Sequence, residues 1–216
     1  MEASRLAALV ASRVVHDLIT PVTGLGAALD AYRSSPAPDQ RELAMQLIEQ
    51  QIDGTRAKLV FLRLALGAAG IGDDPADFDE ARRIAEDFFA PDKRTLTWTN
   101  EKVDAPRTFM RLMLNLCLIA ADTLPRGGEV AVVVGGDGEA IEGVVTSRGP
   151  KLNVKPGVFE ALRGDEPADG FDGRNVQPYF AGLVARQSGV DLLARHSEDR
   201  IELIARLPRS RMQSAA

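Results

Sequence analysis

The chain has 216 residues, 45% of them apolar, with a formal net charge of −5 and a pI near 5.2. That length and apolar share allow a sizeable core in one large or two small domains, and the acidic balance argues against a nucleic-acid or anionic-membrane surface. Cys117 stands alone in an apolar run, which leaves no disulfide framework and no cysteine-based metal site.

At the N-terminus no basic region precedes an uninterrupted apolar stretch, and no run is expected to reach the ~18 residues of a membrane span. The expectation is a cytoplasmic protein without a membrane partner. The spacing predicts a first helix from about Ala3 to Arg33, ended by the breakers of "SSPAPD". A second helix is expected after Asp39, a suitable N-cap, running to the glycines of "GAAGIGDD". Its positions Met45, Ile48, Ile52, Thr55, Leu59, Leu62 and Leu66 alternate steps of three and four, a heptad seam. On the first helix Val14, Leu18, Leu25 and Leu29 form a similar stripe, with Val22 between them. Two long helices with a short connection predict an antiparallel hairpin. With Val15, Ile19, Val60 and Leu64 beside the stripes, the apolar surface exceeds what one hairpin hides, so a four-helix bundle made by dimerisation is expected.

Beyond "GIGDDPADFD" the pattern changes. "TLTWTN" reads as a strand and "PRTFMRLMLNLCLIAADTLP" as a buried helix, while "GEVAVVVGG" and "EAIEGVVTS" form a hairpin around "GGDG". "VQPYFAGLVARQSG" reads as a helix ended by glycine, and "VDLLARHSEDRIELIARLP" as two strands around "SEDR". The expected organisation is α+β: a helical hairpin over 1–72, an α/β sandwich over 73–209 and a frayed tail over 210–216.

Of the two histidines, His16 and His196, the first lies in the best-patterned helix. Positions two apart on a helix differ by roughly 200°, so His16 faces away from Val14 and Leu18 and shares its face with Ser12, Arg13, Thr20 and Thr23. An outward imidazole is a competent nucleophile near neutral pH, and Asp17 beside it can take its proton or orient the ring. Pro21 removes the helical bond to the Asp17 carbonyl and should bend the helix there. No second histidine or cysteine is placed to make a metal site.

"HDLITP", from His16 to Pro21, resembles the H-box of histidine kinases, a phospho-accepting histidine followed by an acid and then a proline. In that family the acid and a Thr or Asn three residues later also support dephosphorylation of the partner receiver, and Asp17 and Thr20 match the pattern; a plain surface role for Thr20 fits as well. The second half follows the rhythm of the kinase ATP-binding domain in "LMLNLCLIAADTLPRGGEVAVVV". Asn115 keeps the first asparagine of the N-box, but Ile119 stands where the second should hold magnesium, and Asp122 where a basic residue is expected. Ser147 replaces the adenine-reading aspartate and Lys151 the second glycine of "VVTSRGPKL", and the glycine-rich phosphate loop before "RNVQPYFAGLVARQSG" is missing. The resemblance thus implies a nucleotide site without the groups for Mg²⁺, triphosphate or adenine.

A phospho-accepting dimeric hairpin on a degenerate kinase-like domain resembles the ChpT type of histidine phosphotransferase of alphaproteobacteria, over roughly residues 3 to 207 and including "FLRLALGAAG". The resemblance implies a homodimer that carries phosphate between the receiver domain of a hybrid histidine kinase and those of response regulators. His16, Asp17 and Thr20 would do the chemistry, with Arg13, Leu18, Ile19, Thr23 and Arg63 against the receiver. No intrinsic cofactor and no ATP are expected, and Mg²⁺ is expected in the receiver's own acidic pocket. Two other readings remain open on the same residues: an ATP-dependent kinase with an atypical nucleotide site, and a non-catalytic dimeric scaffold.

Overall fold

A computed structural model describes residues 1–67 and 74–212. Two long helices come first, α1 (Ala3–Ser34) and α2 (Pro38–Leu66). They run antiparallel: Gly24 lies against Gln51, and Lys58 reaches the backbone of Asp17. The start of α2 differs from the expected one. Ala37 is the N-cap, Pro38 opens the helix and Asp39 sits in its first turn. Proline suits that opening position because its φ is already helical and its missing N–H has no partner there to lose.

The predicted stripes are only partly closed by the hairpin. Ala28 on α1 and Ala44, Phe61, Leu62 and Ala65 on α2 are buried. Val15, Ile19, Val22 and Leu29 on α1, and Ile52 and Leu59 on α2, remain exposed. These α1 positions follow steps of four, three and seven, so they form one continuous apolar flank.

One expectation is corrected here. By length and composition α1 is apolar enough to cross a membrane, with an 18-residue window of mean hydropathy 1.3. The helix has no uninterrupted apolar run of that length, and its mean is high despite the few charges it carries.

The second half is a five-stranded mixed sheet in the order β1-β2-β3-β5-β4. Its strands are β1 (Arg94–Asn100), β2 (Gly128–Gly136), β3 (Ala140–Arg148), β4 (Asp191–His196) and β5 (Arg200–Pro208). β1 runs parallel to β2; the other pairs are antiparallel. Alternation along the strands puts Val130, Val132 and Val134 of β2 and Ile201, Leu203, Ala205 and Leu207 of β5 on the core side. Across that face lies α4 (Arg107–Asp122), apolar nearly all round and buried along most of its length. Gly143 of β3 allows the approach, since a Cβ there would stand 2.4 Å from Met113 Sδ.

Two helices absent from the sequence reading complete this half. α3 (Phe78–Phe89) begins at Asp77, whose carboxylate accepts the Glu80 N–H at 2.8 Å, an N-cap that the neighbouring "DDPADFD" obscured. α5 (Val158–Arg163) is six residues long, too short to show a period. It lies against α6 (Val176–Gln187) so closely that a Cβ on Gly182 would meet the Leu162 carbonyl oxygen at 1.9 Å. Of the expected frayed tail, residues 213–216 lie outside the described residues, and its beginning is ordered. Arg209–Met212 forms a short helix, α7, and Arg211 Nη1 donates to Gly189 O at 2.6 Å and Asp191 Oδ1 at 2.9 Å, which ties it down.

The two halves share a core. Phe61 and Ala65 of α2, both fully buried, pack in the cluster formed by α3, α4 and the sheet. Leu6 and Leu9 of α1 pack on Ala161, Phe171 and Tyr179. The expected boundary at residues 72 and 73 lies outside the described residues. The open end of the hairpin is thereby seated on the sandwich, and its far end projects.

Candidate phosphotransfer site

His16 occupies α1 with 82% of its side chain exposed, so the outward face inferred from helical phase is what the structure has. Val14 and Leu18, two positions away on either side, are partly buried. The ring is oriented from one side only: Nδ1 lies 3.3 Å from Asp17 Oδ1. With the proton on Nδ1, that contact leaves the lone pair of Nε2 directed to solvent.

Asp17 is held at both its ends. Its second carboxylate oxygen accepts Arg13 Nε at 2.9 Å. Its backbone carbonyl, deprived of a helical partner because Pro21 has no N–H, accepts Lys58 Nζ from α2 at 3.2 Å. Periodicity exposes the orphaned carbonyl but not the lysine, since nothing local states which α2 residue lies opposite.

Arg13 was expected at the receiver interface. The structure commits it within the chain instead: Nη2 donates to Asp122 Oδ2 at 2.8 Å, at the end of α4, and Nη1 to Gly173 O at 3.3 Å. With 17% of its side chain exposed, it is no longer a free docking cation. Burial works against its charge, but the carboxylates of Asp122 and Asp17 outweigh burial and raise its pKa above the ordinary arginine value. Of the other expected interface residues, Ile19, Thr23 and Arg63 are exposed on the hairpin and Leu18 is partly buried. Thr20, one turn beyond His16, is exposed. His196 lies at the end of β4, its ring 6.2 Å from that of Phe159, apart from this constellation.

The positions that match kinase nucleotide ligands have other work. Asn115 is fully buried; its Nδ2 donates to Ala65 O at 2.7 Å and Arg111 O at 2.8 Å, and its Oδ1 accepts Gln177 Nε2 at 2.5 Å. Arg111 caps the same end of α2, donating to Ala65 O at 3.1 Å and Leu66 O at 2.9 Å. Ile119 is in the apolar core and Asp122 in the Arg13 ion pair. Ser147 is buried and accepts a hydrogen bond from Thr123 Oγ1 at 2.9 Å. Asn115, Ile119, Asp122 and Ser147 are thus all engaged within the fold. Among the described residues no group of three or more His, Cys, Asp or Glu side chains is placed to hold a metal. Cys117 is buried in apolar surroundings that push its thiol pKa up, which keeps it in the unreactive protonated form.

The chain thus presents an exposed histidine on a helical hairpin that is seated on an α/β sandwich. Residues 78–200 match the family described as the histidine phosphotransferase C-terminal domain. The chain is 33% identical over 192 residues to the protein phosphotransferase ChpT of Brucella abortus (strain 2308), covering 89% of this chain and 90% of that one. A solved bacterial phosphotransferase superposes with a TM-score of 0.83 at 32% identity, over 95% of this chain and 97% of that one. A histidine kinase, ThkA, solved in complex with the response regulator TrrA, shares the fold with a TM-score of 0.53 at 15% identity, over 96% of this chain and 64% of that one. The chain belongs to the histidine phosphotransferase family.

Proposed function

We propose that the protein is a homodimeric phosphocarrier that moves a phosphoryl group between receiver-domain aspartates through His16, without ATP. The observation that carries this reading is the outward imidazole with a fixed carboxylate on its Nδ1. In the forward step Nε2 forms an N–P bond as the P–O bond to the receiver's aspartate breaks, and that aspartate leaves with the electron pair as a carboxylate. The ring gains positive charge as the bond forms. Asp17, already against Nδ1–H, offsets that charge where it develops. The return step reverses each bond. Thr20 stands one turn along to orient the water that hydrolyses an acyl phosphate on a docked receiver. Ile19, Thr23 and Arg63, with Leu18 at the edge, form the surface on which the receiver lies. Mg²⁺ belongs to the receiver's acidic pocket.

Dimerisation is supported by the apolar side chains Val15, Val22 and Leu29 with Ile52 and Leu59, which the hairpin does not cover. A second hairpin supplies the matching surface. ATP independence is supported by the engagement of Asn115, Ile119, Asp122 and Ser147 in the fold. The test uses two phosphate donors. Incubation with radiolabelled ATP alone should leave the chain unlabelled, and a labelled phospho-receiver should label it at His16 within a turnover. Labelling by ATP alone would overturn the reading in favour of a kinase; labelling by neither would favour the scaffold.

A further inference from the structure

The first helix meets the second domain through an ion pair that adjoins His16. Asp122, the last residue of α4, accepts Arg13 Nη2 at 2.8 Å across 109 positions of sequence. The same guanidinium turns Nε toward Asp17 Oδ2 at 2.9 Å. A guanidinium is planar and rigid, so fixing one nitrogen fixes the direction in which the others point. Asp17 then has one oxygen pinned to Arg13 and the other facing His16 Nδ1 at 3.3 Å. The four side chains form an unbroken line from the sandwich to the imidazole. Without Asp122, Arg13 keeps a 3.3 Å bond to Gly173 O and an i,i+4 pair with Asp17, of the kind worth little and easily rearranged.

We propose that Asp122 is a positioning residue for phosphotransfer. By anchoring Arg13 it holds the Asp17 carboxylate against Nδ1, so the second domain sets the tautomer and orientation of the nucleophile without touching the phosphoryl group. This rests on His16 being the phospho-acceptor. It also assigns the sandwich a part in the reaction that needs no nucleotide.

The experiment uses the full chain, labelled with ¹⁵N-histidine, as the parent and as Asp122→Asn and Asp122→Glu. Each is given two donors: a receiver domain phosphorylated with acetyl phosphate, and phosphoramidate, which needs no docking surface. With phosphoramidate the P–N bond to ammonia breaks as the N–P bond to His16 forms. Asp122→Asn should slow phosphoryl uptake about tenfold or more with both donors, leaving the half-saturating receiver concentration unchanged. The His16 ring ¹⁵N signals should move from the Nδ1–H tautomer toward a mixture, while those of His196, the only other histidine, stay in place. Asp122→Glu should recover most of the rate and the parent signals. Unchanged uptake in Asp122→Asn would overturn the proposal. So would slower uptake with unmoved His16 signals, which would make the ion pair a fastening and nothing more. If the parent itself takes phosphate from neither donor, the phosphocarrier reading is what fails, and the ring signals still decide whether Asp122 governs His16.

Discussion

Replacing Pro21 by alanine and Lys58 by methionine, singly and together, measures how the turn after His16 is held. A proline inside a helix costs about 3 kcal/mol relative to alanine, part of it the lost bond to the residue four before. Here that residue is Asp17, and its carbonyl accepts the Lys58 ammonium at 3.2 Å in a partly buried setting. A hydrogen bond from a charged donor contributes roughly 1.5–3 kcal/mol, and partial exposure places this one near the lower end. Lys58→Met should therefore cost about 1.5 kcal/mol beside Pro21. In the Pro21→Ala background an N–H at residue 21 supplies the carbonyl, and the same substitution should cost only a few tenths. The coupling between the two sites is then about 1 kcal/mol, well outside the ~0.3–0.5 kcal/mol scatter of additive pairs. Pro21→Ala alone should stabilise the chain by roughly 1–2 kcal/mol, the helical penalty less what the lysine already restores. Urea unfolding followed by helical circular dichroism resolves these differences as midpoint shifts of about 0.5 M. It must be run at one fixed protomer concentration, because association couples stability to concentration. Equal costs for Lys58→Met in both backgrounds would refute the argument.

Three further outcomes test other parts of the structure. Val22→Glu with Leu29→Glu should convert a dimer into a monomer in sedimentation velocity, because both side chains lie on the exposed apolar flank of α1; an unchanged sedimentation coefficient would remove the support for a four-helix bundle. Gly182→Ala should lower stability by about 3 kcal/mol, the upper end for overpacking, since its Cβ meets a backbone carbonyl at 1.9 Å that cannot turn aside as a side chain would; a thermal midpoint equal to the parent's would contradict the close α5–α6 approach. Burial alone would raise the pKa of Asp92, but hydrogen bonds and charge from Arg94 hold it below the usual carboxylate range. Its contribution to stability is therefore present above the unfolded value of ~3.9 and is lost as pH falls through the lower folded value. Asp92→Asn should be less stable than the parent at pH 7, with the gap closing in strong acid; a gap that widens there would reverse the assignment.

The elements with a long, clean period were legible in the sequence. The hairpin helices, α4, α6 and the two hairpins of the sheet fall within about three residues of their expected bounds, because apolar spacing and glycine-rich turns mark them locally. α3 was missed where Pro75 and a run of aspartates hide the cap, and α5 because six residues hold less than two turns. At the site, helical phase alone placed His16 outward and Asp17 beside it. It could not place Lys58, 41 positions from Asp17, or Asp122, 109 from Arg13. Those contacts depend on how separate elements pack, which no local pattern encodes. The partners of Arg13 were out of reach for the same reason: its own helix shows a cation on the histidine's face and says nothing of a carboxylate arriving from α4.

The capping of α2 by Arg111 and Asn115 has a consequence for how this protein can change. The amide of Asn115 holds the Ala65 carbonyl, and Asp122 holds Arg13 across the joint. A basic residue at 122 would set one cation against another at Arg13, and an asparagine at 119 would wedge an amide into apolar core. Either substitution alone should give a less stable protein. The joint between hairpin and sandwich therefore resists piecemeal change, because each of these side chains fixes a neighbour on which the next contact depends.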